Sequence, residues 1–167
     1  MSATIRTRHA AMLPLLLVVV LMATLFAATP SAEARMSRGE RIGKALDIAR
    51  HQKGDPYRYG SSGPGAFDCS GLIYYATHKA GFKRVPRTSD SQASFMNRIK
   101  RRKNMRKGDM VFFYSGSASA RNVYHVGVFV GKKNGHRMIV QAPYGDERVH
   151  RARIWTNDWF PGSLRGI

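Results

Sequence analysis

The amino-acid sequence predicts a single α+β domain in which N-terminal helices pack on an antiparallel sheet. Before residue 99, apolar residues recur at helical spacing, and after residue 108 they form β-rich runs with an Asn-Gly hairpin signal between two of them. Helices grouped ahead of a meander of strands are typical of the α+β class. The length of 167 residues is enough for one hydrophobic core of ordinary size.

The first 34 residues have the three-part pattern of a secretory signal peptide. A basic start precedes an almost purely apolar run at residues 10–28, and Ala32-Glu33-Ala34 supplies the small residues that signal peptidase reads. We therefore predict cleavage after Ala34 and a secreted domain at residues 35–167, in the periplasm or cell wall, without a stable membrane anchor. The alternative is an uncleaved anchor, because the apolar run approaches spanning length.

The charge is strongly positive, with 28 Lys and Arg against 10 Asp and Glu and a net charge of +18. Such a charge indicates an anionic partner or surface. Because the chain carries an export signal, we exclude nucleic acid and expect peptidoglycan and anionic wall polymers as partners of a monomer. Basic residues concentrate at residues 98–107, which form either a solvated face or an electrostatic patch for those polymers.

The first helix is predicted at residues 37–53, where apolar side chains recur along one face. Ser37 and Glu40 have the spacing of a capping box at its start. The glycine-rich residues 57–65 follow as a loop.

The second helix is predicted to begin at Cys69 and to stop at Gly81. A short third helix is expected to reach Ile99. Its N-cap is one of three residues: Thr88, Ser89 or Asp90.

The second half of the chain is predicted to form strands joined by short turns. Three β-rich runs occupy residues 110–114, 123–131 and 137–141, and the last two are joined by a turn at residues 132–135. Residues 149–155 are expected to form a fourth strand.

Cys69 is the only cysteine of the chain, so in an exported protein it has no partner for an internal disulfide. It is therefore either a buried core residue or a reactive thiol with a chemical function. Its predicted position at the first turn of a helix favours thiolate over thiol, because unpaired N–H groups and the positive end of the helix dipole point there.

His125 lies in the middle of an apolar strand, where an unpaired polar ring is costly to bury. The hairpin brings Gln141 diagonally near it on the returning strand, and we expect the Gln141 side-chain oxygen to accept the Nδ1–H of His125. Alternatively, His125 bonds a backbone carbonyl and Gln141 is an ordinary strand residue. Together with Cys69, the pattern favours a thiol–imidazole dyad. No metal or other cofactor is expected, because the remaining histidines lack ligand spacing.

The chain resembles the NlpC-type cell-wall cysteine endopeptidases, which have a papain-like fold. The resemblance covers residues 45–165. Five motifs in order carry it: Pro56-Tyr57-Arg58-Tyr59-Gly60, Phe67-Asp68-Cys69-Ser70-Gly71-Leu72, Pro86-Arg87-Thr88-Ser89 with Gln92, Lys107-Gly108-Asp109, and His125-Val126-Gly127-Val128-Phe129-Val130-Gly131.

The resemblance implies Cys69 as nucleophile, His125 as base and Gln141 as the third catalytic residue. It also implies that the hydroxyl of Tyr57 lies near the thiol and the oxyanion. The family usually has histidine where Gln141 stands, and a second glycine where Ser61 stands. The glutamine bears on the level of activity. The serine bears on the shape of the loop over the cleft.

The same resemblance implies that Asp68, Ser70 and Arg87 bind the amine or carboxylate groups of the substrate. The alternatives are helix capping for Asp68 and Ser70 and a surface charge for Arg87. The expected activity is hydrolysis of a peptide bond in peptidoglycan stems, between the γ-carboxyl of D-glutamate and a diamino acid. Three other functions remain open: a thiol amidase or acyltransferase, a non-catalytic cationic wall-binding protein, and a host-directed effector.

Overall fold

The computed structural model describes residues 36–167, which form one compact unit. The predicted signal peptide and its cleavage site lie outside these residues. Among residues 36–167, no helix has the length and apolar character needed to cross a bilayer.

Three α-helices precede most of the sheet: α1 at Arg38–His51, α2 at Cys69–Lys79 and α3 at Ser89–Phe95. The predicted capping box is confirmed, because the Glu40 N–H donates to Ser37 Oγ and the Ser37 N–H donates to the Glu40 carboxylate.

The third helix is shorter than predicted. It ends at Phe95, and the Thr88 side chain caps no backbone N–H of the helix, since its hydroxyl bonds to the Asp90 and Ser91 side chains instead. The next residues turn into a short strand instead of continuing to Ile99.

Six antiparallel strands form one sheet in the order β1-β6-β2-β3-β4-β5. Their bounds are β1 Asn97–Arg98, β2 Met110–Tyr114, β3 Val123–Lys133, β4 His136–Gln141, β5 His150–Arg153 and β6 Trp159–Ser163. The predicted second, third and fourth runs correspond to β3, β4 and β5, and the first matches β2. The sequence interpretation missed β1 and β6, which pair with each other.

The middle of the sheet is covered on both faces, because consecutive residues of β2 and β3 are buried and residues along β2 alternate between two clusters. Phe112 and Val128 join the core formed with α1 and α2, whereas Val111 and Phe129 belong to a second cluster. Burial on both sides fixes the strand register, since a slip of one residue would exchange the two faces. The expected α+β architecture of helices on an antiparallel sheet is confirmed.

The β3–β4 hairpin contains a bulge that aligns the candidate site. Lys133 pairs with His136 across the Asn134-Gly135 turn, but the register shifts by one residue between Phe129 and Gly131. This shift moves the first half of β3 along β4. It places His125 and Gln141 within hydrogen-bonding distance although neither is the other's direct partner.

Candidate active site

The second helix begins at the cysteine because the residue before it is a strong N-cap. Asp68 Oδ1 accepts the Gly71 N–H at 2.6 Å, which satisfies a backbone donor that the first helical turn leaves free. Cys69 is therefore the first residue of α2, as predicted. It is half-buried and packs against the core that α2 shares with the sheet.

The thiol of Cys69 lies against the start of β3. Burial raises the pKa of the Cys69 thiol, although the N–H groups of Val126, Ser70 and Cys69 itself act to lower it. The nearby Asp68 carboxylate adds to the rise. The expectation that the helix start would favour thiolate is therefore wrong for the resting protein, because desolvation outweighs the amide donors.

His125 and Gln141 form a buried hydrogen bond, with 2.6 Å between His125 Nε2 and Gln141 Oε1. An amide oxygen only accepts, so His125 Nε2 carries the proton and Nδ1 is left with its lone pair. The expected partner is confirmed but the expected ring nitrogen is wrong. The correction matters, because it leaves Nδ1 free to accept a proton from a thiol.

Two aromatic rings lie close to the buried imidazole of His125. Phe113 lies 5.5 Å from the His125 ring centre and Trp155 lies 5.7 Å from it, and these two rings stack on each other at 4.2 Å. Burial lowers the pKa of His125 to about 4, and the Gln141 hydrogen bond offsets only part of this effect. At neutral pH the imidazole is therefore uncharged.

The three predicted substrate-binding residues lie together and are bonded mainly to one another. Asp68 Oδ2 accepts from Arg87 Nη2 at 2.6 Å, and Arg87 Nη1 donates to Asp68 Oδ1 and to Ser70 Oγ. Although burial acts to raise it, the bonds from Arg87 and the Gly71 N–H hold the pKa of Asp68 below its usual value. Asp68 remains ionised and shares its charge with Arg87. Their role in binding substrate stays a prediction.

Arg87 also ties down the glycine-rich loop. Its Nη2 donates to the Ser61 carbonyl at 3.1 Å, and the Ser61 hydroxyl donates to the Ala66 carbonyl at 2.9 Å. The serine that replaces the family's usual glycine thus closes the loop on itself. The Asp68–Arg87 pair therefore joins this loop to the start of α2.

Tyr57 lies beside the thiol at the mouth of the site. Burial raises its pKa, and the adjacent Cys69 and Asp68 raise it further, so the hydroxyl keeps its proton and can donate a hydrogen bond. Its ring contacts Tyr144 edge to face at 5.6 Å. Tyr57 lines the same cavity as Cys69, and the role that the resemblance implies for its hydroxyl stays a prediction.

One cavity of about 900 Å³ brings every predicted site residue together. Its lining includes all seven: Tyr57, Asp68, Cys69, Ser70, Arg87, His125 and Gln141. The sequence interpretation missed Trp155, Tyr144 and the Val126 N–H. Hydrophobic periodicity carries no signal for them, since two are aromatic residues outside the strands and the third is a backbone group.

Comparison with known proteins identifies the domain. A model of the NlpC/P60 family matches residues 54–162, more than half of the chain. The chain belongs to the NlpC/P60 family. The resemblance seen in the sequence is confirmed, and the helices and antiparallel sheet have the papain-like fold of NlpC/P60 domains.

Two curated NlpC/P60 relatives are named endopeptidases. A probable endopeptidase of Corynebacterium glutamicum (strain R) is 39% identical over 114 residues, covering 68% of this chain and 48% of the relative. The murein DD-endopeptidase MepH of Escherichia coli (strain K12) is 32% identical over 131 residues, covering 77% and 46%. The chain thus spans about half the length of each of these relatives.

A solved NlpC/P60 structure shows the same fold. RipD of Mycobacterium tuberculosis, described as a non-catalytic NlpC/p60 domain protein adapted to peptidoglycan binding, superimposes with a TM-score of 0.61 at 24% identity. The match covers 74% of this chain and 97% of RipD.

Proposed function

We propose that this NlpC/P60 protein is a secreted cysteine endopeptidase that hydrolyses peptide bonds in the stem peptides of peptidoglycan. The observation that carries the proposal is that Cys69 and the hydrogen-bonded pair of His125 and Gln141 line one cleft. The names of the curated relatives support the endopeptidase reaction, and the signal-peptide pattern supports secretion.

The chemistry begins from two neutral partners. As the Cys69 sulfur attacks the scissile carbonyl carbon, its proton passes to Nδ1 of His125, so thiolate and imidazolium form only during attack. The negative carbonyl oxygen is stabilised by the Cys69 N–H and by the Tyr57 hydroxyl. His125 then gives its proton to the leaving amine, and water hydrolyses the thioester to restore the thiol.

Gln141 orients the imidazole without adding charge. Its amide oxygen fixes the Nε2–H tautomer, but it stabilises the imidazolium less than a carboxylate would. This favours a mechanism in which proton transfer accompanies attack over one that starts from a stable ion pair.

The proposed scissile bond joins the γ-carboxyl of D-glutamate to a diamino acid, as the family resemblance implies. A second candidate is a D,D bond, because one relative is named a murein DD-endopeptidase. A non-catalytic wall-binding role, the one described for RipD, is the contrasting function. The presence of Cys69, His125 and Gln141 in one cleft favours catalysis over it.

The test is digestion of purified peptidoglycan by the mature protein and by Cys69→Ala, with mass analysis of the soluble products. Cleavage after D-glutamate releases fragments that begin with the diamino acid, whereas D,D cleavage breaks the crosslinks between stems and leaves each stem attached to its sugar. Release of stems from the sugar, or acyl transfer between stems, would instead establish an amidase or an acyltransferase. Equal release by both proteins would refute the thiol mechanism.

The basic segment at residues 98–107 is proposed to hold the enzyme to anionic wall polymers. Two of its arginines make cation–π contacts within the domain. The Arg98 guanidinium lies 3.9 Å from the ring centre of Phe160, and the Arg102 guanidinium lies 4.2 Å from the ring centre of Trp159. The cations that are exposed and have no such role are Lys100, Arg101, Lys103, Arg106 and Lys107. These five are the patch that we propose binds the polymers.

Binding of Cys69→Ala to purified wall at increasing salt tests this role. Since 1 M salt shortens the screening length to about 3 Å, binding is expected to fall steeply. Replacing the five patch cations with glutamine should weaken binding further than replacing the exposed Lys132 and Lys133. Binding that does not depend on salt or on the patch would refute it.

A further inference from the structure

Exposed aromatic side chains are concentrated around the candidate active site. Among residues 36–167, five large hydrophobic side chains are exposed, and four of them line the active-site cavity. These four, called the aromatic rim below, are Tyr59, Tyr124, Tyr144 and Trp155, with exposed fractions of 85%, 55%, 83% and 50%. Contiguous exposed apolar surface marks a binding site, and the hydrolytic chemistry uses none of these rings.

The rim flanks the dyad on two sides. Tyr144 and Tyr59 lie close enough to Tyr57 to affect its pKa, and Tyr57 adjoins the thiol, whereas Trp155 lies beside His125. Two of the rings are held in place by other rings: Trp155 lies almost parallel to Phe113, with 6° between the planes, and Tyr144 packs on Tyr57. Rings fixed in this way bind a ligand at a smaller entropic cost.

The cleft is uncharged although the chain carries +18. Within residues 36–167, its only charged lining residues are Asp68 and Arg87, which are paired with each other, and His125 is neutral at pH 7. Aromatic faces without a free charge suit a neutral ligand that presents C–H groups on a flat surface. N-acetylated pyranose rings have that chemistry, since their axial C–H groups pack on the electron-rich face of an aromatic ring.

The size of the cleft leaves room for such a ring. A cavity of about 900 Å³ is near the upper end of ordinary ligand sites, roughly 300–1,000 Å³. In peptidoglycan a short lactyl link joins the stem to its sugar. With about 3.5 Å per residue of extended chain, the sugar lies on the order of 10 Å from the D-glutamate carbonyl, within a cleft of this size.

We propose that the aromatic rim binds N-acetylated sugar rings of the glycan strand, so that the enzyme prefers stems still attached to their sugars over free stem peptides. This deepens the proposed function and rests on it for its biological meaning. The binding itself is independent of hydrolysis.

The first experiment measures sugar binding without catalysis. Cys69→Ala is titrated with a tetramer of N-acetylglucosamine, which is neutral, while tryptophan fluorescence is followed. The chain has two tryptophans and Trp159 is buried, so a saturable change reports Trp155. Calorimetry on the same samples gives affinity for variants that alter the tyrosines. We expect binding that is insensitive to salt and saturable.

Matched variants separate ring stacking from hydrogen bonding. Tyr59→Ala with Tyr144→Ala should weaken tetramer binding about tenfold, whereas Tyr59→Phe with Tyr144→Phe should leave it unchanged, because only the ring is needed. Absence of saturable binding would overturn the proposal. So would equal affinity in all variants, or an equal loss in the phenylalanine pair.

The second experiment compares one stem peptide free and attached to its disaccharide. The alanine pair should raise KM about tenfold for the attached stem and leave KM for the free stem unchanged, whereas any change in kcat from the lost Tyr57–Tyr144 contact should be the same for both substrates. Equal changes for both substrates would show that the rim contacts the peptide and would overturn the sugar assignment. If the wild-type protein cleaves neither substrate, the endopeptidase function fails, and the tetramer titration still decides whether the rim binds sugar.

Discussion

Replacing Gln141 with glutamate should favour the protonated imidazole and so shift the neutral dyad toward an ion pair. Glutamate has the shape of glutamine, so its carboxylate would occupy the position of Gln141 Oε1, 2.6 Å from His125 Nε2. In the wild-type protein burial lowers the pKa of His125 to about 4. A carboxylate at this position opposes that effect directly, because it stabilises the imidazolium.

The size of the change follows from Coulomb's law. With about 4 Å between the charge centres and an effective dielectric constant of about 20, the attraction is about 4 kcal/mol. At 1.36 kcal/mol per unit, this raises the pKa of His125 by about 3 units, from about 4 to about 7. Desolvation of the buried glutamate removes part of the gain, so we expect a rise of about 2 units. An imidazolium beside the thiol lowers the thiol pKa in turn.

The rate of alkylation of Cys69 by iodoacetamide, measured between pH 4 and 10, reports this coupling. Cys69 is the only cysteine, so the mass of the protein gives its modification without ambiguity. In the wild type the rate should rise tenfold per pH unit through neutrality, because the thiol pKa is raised and no thiolate is stored at low pH. In Gln141→Glu the rate at pH 6 should increase at least about tenfold.

Gln141→Met is the matched control, since it keeps the length of the side chain and removes the acceptor. Its alkylation profile should lack the increased rate near pH 6 that is expected of the glutamate variant. A wild-type plateau beginning near pH 5 would refute the neutral dyad, because it would show a thiolate–imidazolium pair already formed. An unchanged profile in Gln141→Glu would show that residue 141 does not act on the thiol through His125.

Two further predictions concern stability. Gly71→Ala should destabilise the domain by at least about 2 kcal/mol in urea unfolding, because the added Cβ would lie 2.0 Å from the Ser61 carbonyl oxygen. Gly43→Ala, in a helix position with open space around it, should stabilise by up to about 1 kcal/mol, and a similar response of both variants would contradict the close approach. The buried His125 should also make stability depend on pH. Its pKa of about 4 in the folded protein lies below the ordinary 6.5, so the unfolded chain binds a proton that the folded one excludes. The free energy of unfolding should therefore fall by up to about 3 kcal/mol from pH 6.5 to pH 4. His125→Gln should show a smaller fall, and an equal fall would place the acid sensitivity elsewhere.

The strands and helices that the sequence predicted are those with regular apolar spacing. The alternating valines of β3 and the capping box of α1 were sufficient for both elements. The missed strand β6, Trp159–Ser163, contains Pro161 and Gly162, two residues that argue against a strand when read locally. Pairing of β6 with β1 and β2 overrides that preference. These partners are distant in the chain, so the sequence around β6 does not indicate the pairing.

The helix start at Cys69 was predictable, but the electrostatics of its thiol were not. The effect of a helix dipole on the thiol pKa comes from the first turn of the helix, which can be located in the sequence. The effect of desolvation depends on every group packed around the sulfur. Here the sulfur lies against Val126, on a strand far away in the chain, and beside the carboxylate of Asp68. Their sum reverses the expected direction of the pKa shift.

The sequence motifs predict which residues form the dyad, whereas the folded environment determines their protonation state. Motif order predicts Cys69 and His125, and the hairpin predicts Gln141, but only the folded structure shows that Nε2 is the imidazole nitrogen that meets the amide. With Nε2 protonated and Trp155 covering the ring, Nδ1 becomes a weak base of pKa about 4. In the proposed mechanism, such a base takes the thiol proton only as the sulfur bonds to carbon. Gln141 and Trp155 are therefore proposed to control the stage of the reaction at which the proton passes from Cys69 to His125. The alkylation profile of Gln141→Glu measures the contribution of Gln141.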